Sequence, residues 1–237
     1  KGMFTFFERM IKMRETMIYD TDVYQIRKDI LKRMLEIIDN RKKVSTVFYG
    51  DSITKYMDID HYFSFEAANC GIVGISSDML LHFVDEAVIK YCPKQVFIMI
   101  GTNDLGNTTM TSPRQIAMNV KELIEIIHEN LPESKVYLIS CIPCIEKIHG
   151  YQYKKQGLRS NDILRMVFEE YKRIIPYSYV SFLDVFDSLL DENGVPLENC
   201  FLDGLHLTQD GYQRYTDAIK NQLKKCEEDI NEIRSRD

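Results

Sequence analysis

Long apolar runs are missing from this sequence. The longest, such as Val96-Phe97-Ile98-Met99-Ile100, are strand-sized and far short of a bilayer span. No Lys/Arg cluster occurs either, and 30 Lys+Arg against 36 Asp+Glu leave a formal net charge of −6. That balance argues against nucleic acid or an anionic membrane surface as the main partner. The N-terminal Lys1-Gly2-Met3-Phe4-Thr5-Phe6-Phe7 is broken by Glu8 and Arg9 and lacks the apolar core and small-residue cleavage site of a signal peptide. Cysteine is sparse: Cys70, Cys92, Cys141, Cys144, Cys200 and Cys226 follow no disulfide-framework spacing, so they are expected to be reduced thiols in a cytoplasmic protein. Neither GxxxxGK[ST] nor GxGxxG follows any strand-like run, which disfavours nucleotide binding, and no GxSxG nucleophile elbow occurs.

What is present is the composition of a soluble globular chain. Its 237 residues are 45% hydrophobic and 28% charged, enough for one sizeable core. Val23, Ile26, Ile30, Met34, Ile37 and Ile38 recur at helical spacing before the basic Arg41-Lys42-Lys43. Residues 1–43 therefore read as a helical extension, with a second helix expected over 4–18. Beyond it, β-rich runs at 44–49, 65–69, 96–100, 136–141 and 180–185 alternate with helical stretches at 77–90, 113–130 (capped by Ser112), 159–174 and from Thr208 onward. Such alternation means parallel strands with right-handed crossovers. A three-layer α/β/α sandwich over 44–237 is the economical architecture. Ligands of such sheets bind beyond the C-terminal strand ends, so the loops there are the place to look for chemistry.

Ser52 sits in such a loop, in Gly50-Asp51-Ser52-Ile53-Thr54. Alone, the triplet suits a helix-capping serine better than a nucleophile. The second loop, Asn69-Cys70-Gly71-Ile72-Val73-Gly74, has two glycines that let backbone N–H groups face a cleft, and equally suits a plain turn. The third, Gly101-Thr102-Asn103-Asp104, offers the Asn103 carboxamide as a donor. Ahead of the last helix, Asp203-Gly204-Leu205-His206 places a carboxylate three residues before an imidazole. There it can hold the ring Nδ1–H and leave Nε2 as a base.

Taken together, Gly50-Asp51-Ser52, Gly74, Gly101-x-Asn103-Asp104 and Asp203-x-x-His206 resemble the four sequence blocks of the SGNH, or GDSL-like, hydrolases, and the resemblance runs from about Val44 to Leu223. Within that superfamily Asn69-x-Gly71-x-x-Gly74 and Ile100-Gly101-Thr102-Asn103-Asp104 are most similar to bacterial esterases of the platelet-activating-factor acetylhydrolase type. The resemblance implies a flavodoxin-like sheet of about five parallel strands and a serine esterase with Ser52 as nucleophile, His206 as base and Asp203 orienting it. The oxyanion hole would combine the backbone N–H groups of Ser52 and Gly74 with the Asn103 side chain. Ile53 stands where the family's older name has Leu, and the helical extension has no counterpart in the minimal fold. It is expected to pack on the sheet, ahead of covering the cleft or shielding a dimer interface. A monomer and a homodimer both stay open.

Cys141-Ile142-Pro143-Cys144 follows the fourth strand without a second CxxC, and His149 is the one nearby candidate for a third ligand. The pair is read as structural, and no metal or cofactor is expected. Ile142, Pro143 and Ile145 are expected along the acyl side of the pocket. The stretch 149–155 reads as a solvated loop ahead of a lid. His61, His82 and His128 have no partner pattern. The expected substrate is a short-acyl or lipid-type carboxylic ester, the alternative enzyme is a carbohydrate O-acetylesterase, and a non-catalytic flavodoxin-like binding module is the reading from another class.

Overall fold

The structure, a computed structural model, describes residues 21–106, 111–149 and 159–234. The chain divides into two compact units between Asn40 and Arg41. In the first, the amphipathic repeat forms helix α1 (Thr21–Asp39), with Gln25–Asp29 and Arg33–Glu36 pairs along its surface. The helix expected over 4–18 lies outside the described residues.

The second unit is built on five parallel strands: β1 (Thr46–Gly50), β2 (Ala67–Gly71), β3 (Gln95–Met99), β4 (Lys135–Ile139) and β5 (Val180–Leu183), in the order β2-β1-β3-β4-β5. This is the flavodoxin-like order, whose crevice lies where β1 and β3 diverge. Helices α2 (Ser52–Tyr56), α3 (Ile59–Tyr62), α4 (Ser77–Leu81), α5 (Val84–Ala87), α6 (Thr102–Gly106), α7 (Pro113–Asn130), α8 (Glu146–His149), α9 (Asn161–Ile174) and α10 (Gln209–Arg234) fill the connections.

Period-2 alternation sends successive side chains to opposite faces. On one face Phe48, Phe97 and Tyr137 stand in register across β1, β3 and β4 and stack with centroids 4.5 and 4.6 Å apart. Phe63, Ile53, Tyr212, Tyr215 and Ile219 from α2, α10 and their neighbourhood close this core. Such cross-strand aromatic pairs lock register, because a one-residue slip would send every ring to the other side. On the opposite face Tyr49 reaches α4 by donating its hydroxyl to the Leu80 carbonyl at 2.7 Å, and Tyr171 of α9 donates to the Ile100 carbonyl at 3.0 Å.

Three expectations shift. The second strand runs over Ala67–Gly71 rather than 65–69, because the apolar signal at Phe63 and Phe65 belongs to rings packed over Phe48, not to ladder residues. The helix expected over 77–90 is two short helices and a 3₁₀ turn, interrupted at Phe83 (φ −125°, ψ 15°) and Val88 (φ −128°, ψ −59°). Leu80, Phe83, Val84, Ala87 and Val88 are nonetheless all buried, so the helical burial pattern outlives the hydrogen-bond ladder. The stretch expected from 159 begins its helix at Asn161, with Ser160 as the cap accepting from the Ile163 N–H.

Candidate active site

At the end of β1 the backbone must pass beside β3. A Cβ on Gly50 would lie 2.2 Å from the Met99 carbonyl oxygen, so only glycine fits. The chain then turns into α2, where Asp51 is the N-cap and accepts from the Ile53 N–H at 2.9 Å. Ser52 is thereby the first helical residue, and it is 3% exposed. Its Oγ lies 3.0 Å from His206 Nε2, across a sequence separation of 154 residues.

His206 is held locally. Its Nδ1 donates to Asp203 Oδ2 at 2.7 Å, while Asp203 Oδ1 accepts from the Leu205 and His206 N–H groups at 3.0 and 2.8 Å. Burial would raise the Asp203 pKa, but the ring N–H, the two backbone donors and the imidazole charge outweigh it and bring it down to about 2. The carboxylate is therefore charged at any working pH. It can only accept, so Nδ1 carries a proton and Nε2 is the ring nitrogen that faces the Ser52 hydroxyl. His149 Nε2 stands 4.0 Å from Asp203 Oδ2, and the Tyr56 ring meets His206 edge-on at 5.7 Å.

Beside the serine, Gly74 adopts φ 71°, a left-handed conformation that suits glycine. Asn103, at the start of α6, donates Nδ2–H to the carbonyl of Ile75 at 3.0 Å, which fixes the carboxamide next to the Gly74 loop. The adjacent Asp104 clasps that same loop. Its carboxylate accepts from the Ser77 N–H at 3.0 and 3.1 Å and from the Ser77 hydroxyl at 2.6 Å, and Asn119 donates to the Ser77 oxygen from α7. Asn69 ties down the end of α2 by donating to the carbonyls of Thr54 and Met57. The sequence alone assigned no task to Asp104, Asn69 or Tyr56; the partners named here lie 12 to 150 residues away.

Other expected roles are settled differently. Cys141 and Cys144 are buried, and burial pushes their thiols up, Cys144 to about 11. Cys141 donates to the Ile100 carbonyl, so both behave as packing groups rather than nucleophiles. His149 faces Asp203 instead of the thiols, and among the described residues no three His, Cys, Asp or Glu side chains are placed to hold a metal ion. Ile142, Pro143 and Ile145 are buried, and the two isoleucines belong to the core cluster. His128 stacks on Tyr179 and His61 packs against Tyr62. Residues 150–155 lie outside the described residues.

The profile of the GDSL-like Lipase/Acylhydrolase family matches residues 48–214, a span that holds every residue of this arrangement. The chain belongs to that family. Its members are hydrolases of ester bonds, and this GDSL-like hydrolase has recognisable relatives. The chicken (Gallus gallus) platelet-activating factor acetylhydrolase IB subunit alpha2 is 21% identical over 197 residues, 81% of each chain. A Streptococcus pneumoniae protein named for platelet activating factor is 27% identical with a TM-score of 0.76, covering 84% of this chain and 95% of that one. An acetyl-xylooligosaccharide esterase variant from Geobacillus is 16% identical with a TM-score of 0.60, covering 77% and 96%, and shares the fold. No helix among the described residues is long and apolar enough to cross a membrane.

Asp51 gives the hydrolase a distinctive pH dependence. It is fully buried, one carboxyl oxygen has no partner, and burial raises its pKa to about 7 against the pull of the Ile53 N–H, His206 and Arg159. Between the unfolded value and about 7 the folded state holds a proton that the unfolded chain has released, so rising pH favours unfolding. Stability contributed by the neutral carboxyl is present at acid pH and is lost as pH climbs through 7. Asp51→Asn keeps a capping oxygen and cannot titrate. Wild type is expected to lose about 3 kcal/mol more than Asp51→Asn between pH 5 and pH 8 in denaturant titrations. Parallel pH profiles for the two proteins would disprove it.

Proposed function

We propose that the chain is a serine esterase that removes a short acyl group, acetyl foremost, through an acyl-enzyme on Ser52. The observation that carries this reading is the continuous relay from Ser52 Oγ to His206 Nε2 at 3.0 Å and from His206 Nδ1 to Asp203 at 2.7 Å. A binding module has no use for an imidazole held by a carboxylate and aimed at a buried hydroxyl.

Ser52 Oγ attacks the ester carbonyl as His206 Nε2 takes its proton, and Asp203 stabilises the imidazolium. The negative charge of the tetrahedral intermediate is received by the N–H groups of Ser52 and Gly74 and by the second N–H of Asn103 Nδ2, whose first is spent on Ile75. The imidazolium then protonates the departing alkoxide. Water, deprotonated by the same nitrogen, hydrolyses the acyl-enzyme. Each half-reaction returns the proton it borrowed, and no external cofactor is drawn on. The free state of all six thiols suits a reducing compartment.

The preference for acetyl is supported by the names of two relatives, an acetylhydrolase and an acetyl-xylooligosaccharide esterase, which differ on the alcohol side and agree on the acyl side. The test is kcat/KM for p-nitrophenyl acetate, butyrate and octanoate, with an acetylated xylooligosaccharide as a second alcohol. The reading expects a decline with acyl length of about tenfold or more from acetate to octanoate. A preference for octanoate would replace it with a lipase-type specificity, and inertness of the folded protein towards all four esters would end it.

A further inference from the structure

Arg159 is 5% exposed, and among the described residues its hydrogen bonds go to a backbone carbonyl rather than to a carboxylate: Nε and Nη2 donate to the Thr102 oxygen at 3.1 and 3.0 Å. Removing a guanidinium from water costs several kcal/mol, and beyond this one neutral acceptor the offset comes from the charges of Asp51 and Asp203 nearby. The fold nevertheless makes room for it. A Cβ on Gly106, at the far end of α6, would lie 1.9 Å from Nη2 and 2.1 Å from Cζ. The base of the side chain is fixed as well. Asn161 exchanges hydrogen bonds with the backbone of Cys144 at 2.9 and 3.0 Å, and its own N–H donates to Glu146 at 2.6 Å.

The Thr102 carbonyl is half of the peptide unit whose N–H belongs to Asn103. Two donors from one rigid guanidinium hold the plane of that peptide, and the Ile75 carbonyl holds the other end of the Asn103 side chain. Asn103 is thus anchored once through its main chain and once through its carboxamide. The cation also lies within electrostatic reach of Asp51 and Asp203, the residues flanking Ser52 and His206. Preorganised positive charge is worth most in a water-poor site.

We infer that Arg159 is a positioning residue of the oxyanion hole, holding the Asn103 donor through the Thr102 carbonyl and lending positive charge to the tetrahedral intermediate. The inference rests on the esterase reading. It concerns a side chain outside the four sequence blocks, and it makes the Gly106–Arg159–Thr102 contact part of the catalytic apparatus.

The test uses p-nitrophenyl acetate kinetics and the inhibition constant of phenylboronic acid, which forms a tetrahedral adduct on a serine nucleophile. The proteins are wild type, Arg159→Met, Arg159→Lys, Gly106→Ala and the Arg159→Met/Gly106→Ala double variant. Arg159→Met is expected to lower kcat by about 10- to 100-fold, short of the loss of a direct donor, with KM within about twofold and boronate affinity falling in step with kcat. Arg159→Lys, which keeps the charge and one donor, is expected to recover about tenfold of that loss. Gly106→Ala displaces the guanidinium and is expected to lower kcat about 3- to 10-fold in wild type and to do nothing further beside Arg159→Met.

A folded Arg159→Met with kcat within about twofold of wild type would overturn the inference, as would a loss confined to KM with boronate affinity intact. Should Arg159→Met fail to fold, Arg159→Lys and Gly106→Ala decide the matter by the same split. Turnover by wild type that disappears in Ser52→Ala leaves the Arg159 result bearing on the inference alone. Absence of turnover in wild type ends the esterase reading and this inference together.

Discussion

Ser52→Ala is expected to lower ester turnover by about 10⁵–10⁶-fold, and His206→Ala and the double variant should fall to the same floor. The two residues act as one device. Without the Ser52 hydroxyl the His206 nitrogen has no proton to take, and without His206 the hydroxyl has no base within 3.0 Å. The losses therefore do not add. What survives is the part of catalysis that needs neither group, the polarisation of the carbonyl by oxyanion donors, worth about 10³–10⁴ over the reaction in water. Burst kinetics with p-nitrophenyl acetate measure this directly, because the burst reports acylation of Ser52. A Ser52→Ala protein retaining more than about one hundredth of wild-type turnover would mean that another group attacks the ester, and a strictly additive double variant would mean that serine and histidine act apart.

Asp203→Asn is expected to cost about 10³–10⁴-fold in kcat while leaving the fold unchanged. The hydrogen bonds around the carboxylate dictate why. Oδ1 accepts from two backbone N–H groups, so an asparagine must keep its carbonyl oxygen there and present its NH₂ to the ring in place of Oδ2. An amide N–H facing Nδ1 makes that nitrogen an acceptor, which moves the ring proton to Nε2 and turns the base towards Ser52 into a donor. Near-normal KM with a depressed kcat, and a hydroxyl-dependent rise in rate as an alternative base takes over, are the outcomes to look for in a pH–rate series. Near-wild-type kcat would show that backbone contacts orient His206 without the carboxylate.

The parts of this architecture that were legible in the sequence are those whose signals are local. Asp203 and His206 are three residues apart, the Gly50-Asp51-Ser52 turn announces itself in one triplet, and the strand runs at β1, β3 and β4 are apolar enough to be found within a residue or two. Where the determining partner is distant, the sequence was mute. Ala67–Gly71 has no alternation of its own and is defined by pairing with β1, while the louder Phe63 and Phe65 serve the aromatic stack beside it. Arg159 reads as the polar start of a helix, because its partner Thr102 is 57 residues earlier. Asp104 is one letter of the third block, with no task of its own until Ser77 is brought against it. The buried, proton-retaining state of Asp51 depends on packing that no motif encodes.

The acid and base of the relay travel together. Asp203 and His206 share one short loop, and the loop's own N–H groups bind the carboxylate, so the pair stays intact wherever the loop goes. Ser52 belongs to a different part of the sheet, and its helix meets that pair through the Ser52 hydrogen bond and the Tyr56 ring. Readiness for attack thus reduces to one coordinate, the placement of the segment ahead of α10 against the end of β1. On the esterase reading, about 1 Å along it separates an attacking hydroxyl from an ordinary one, with the Asp203–His206 pair itself undisturbed.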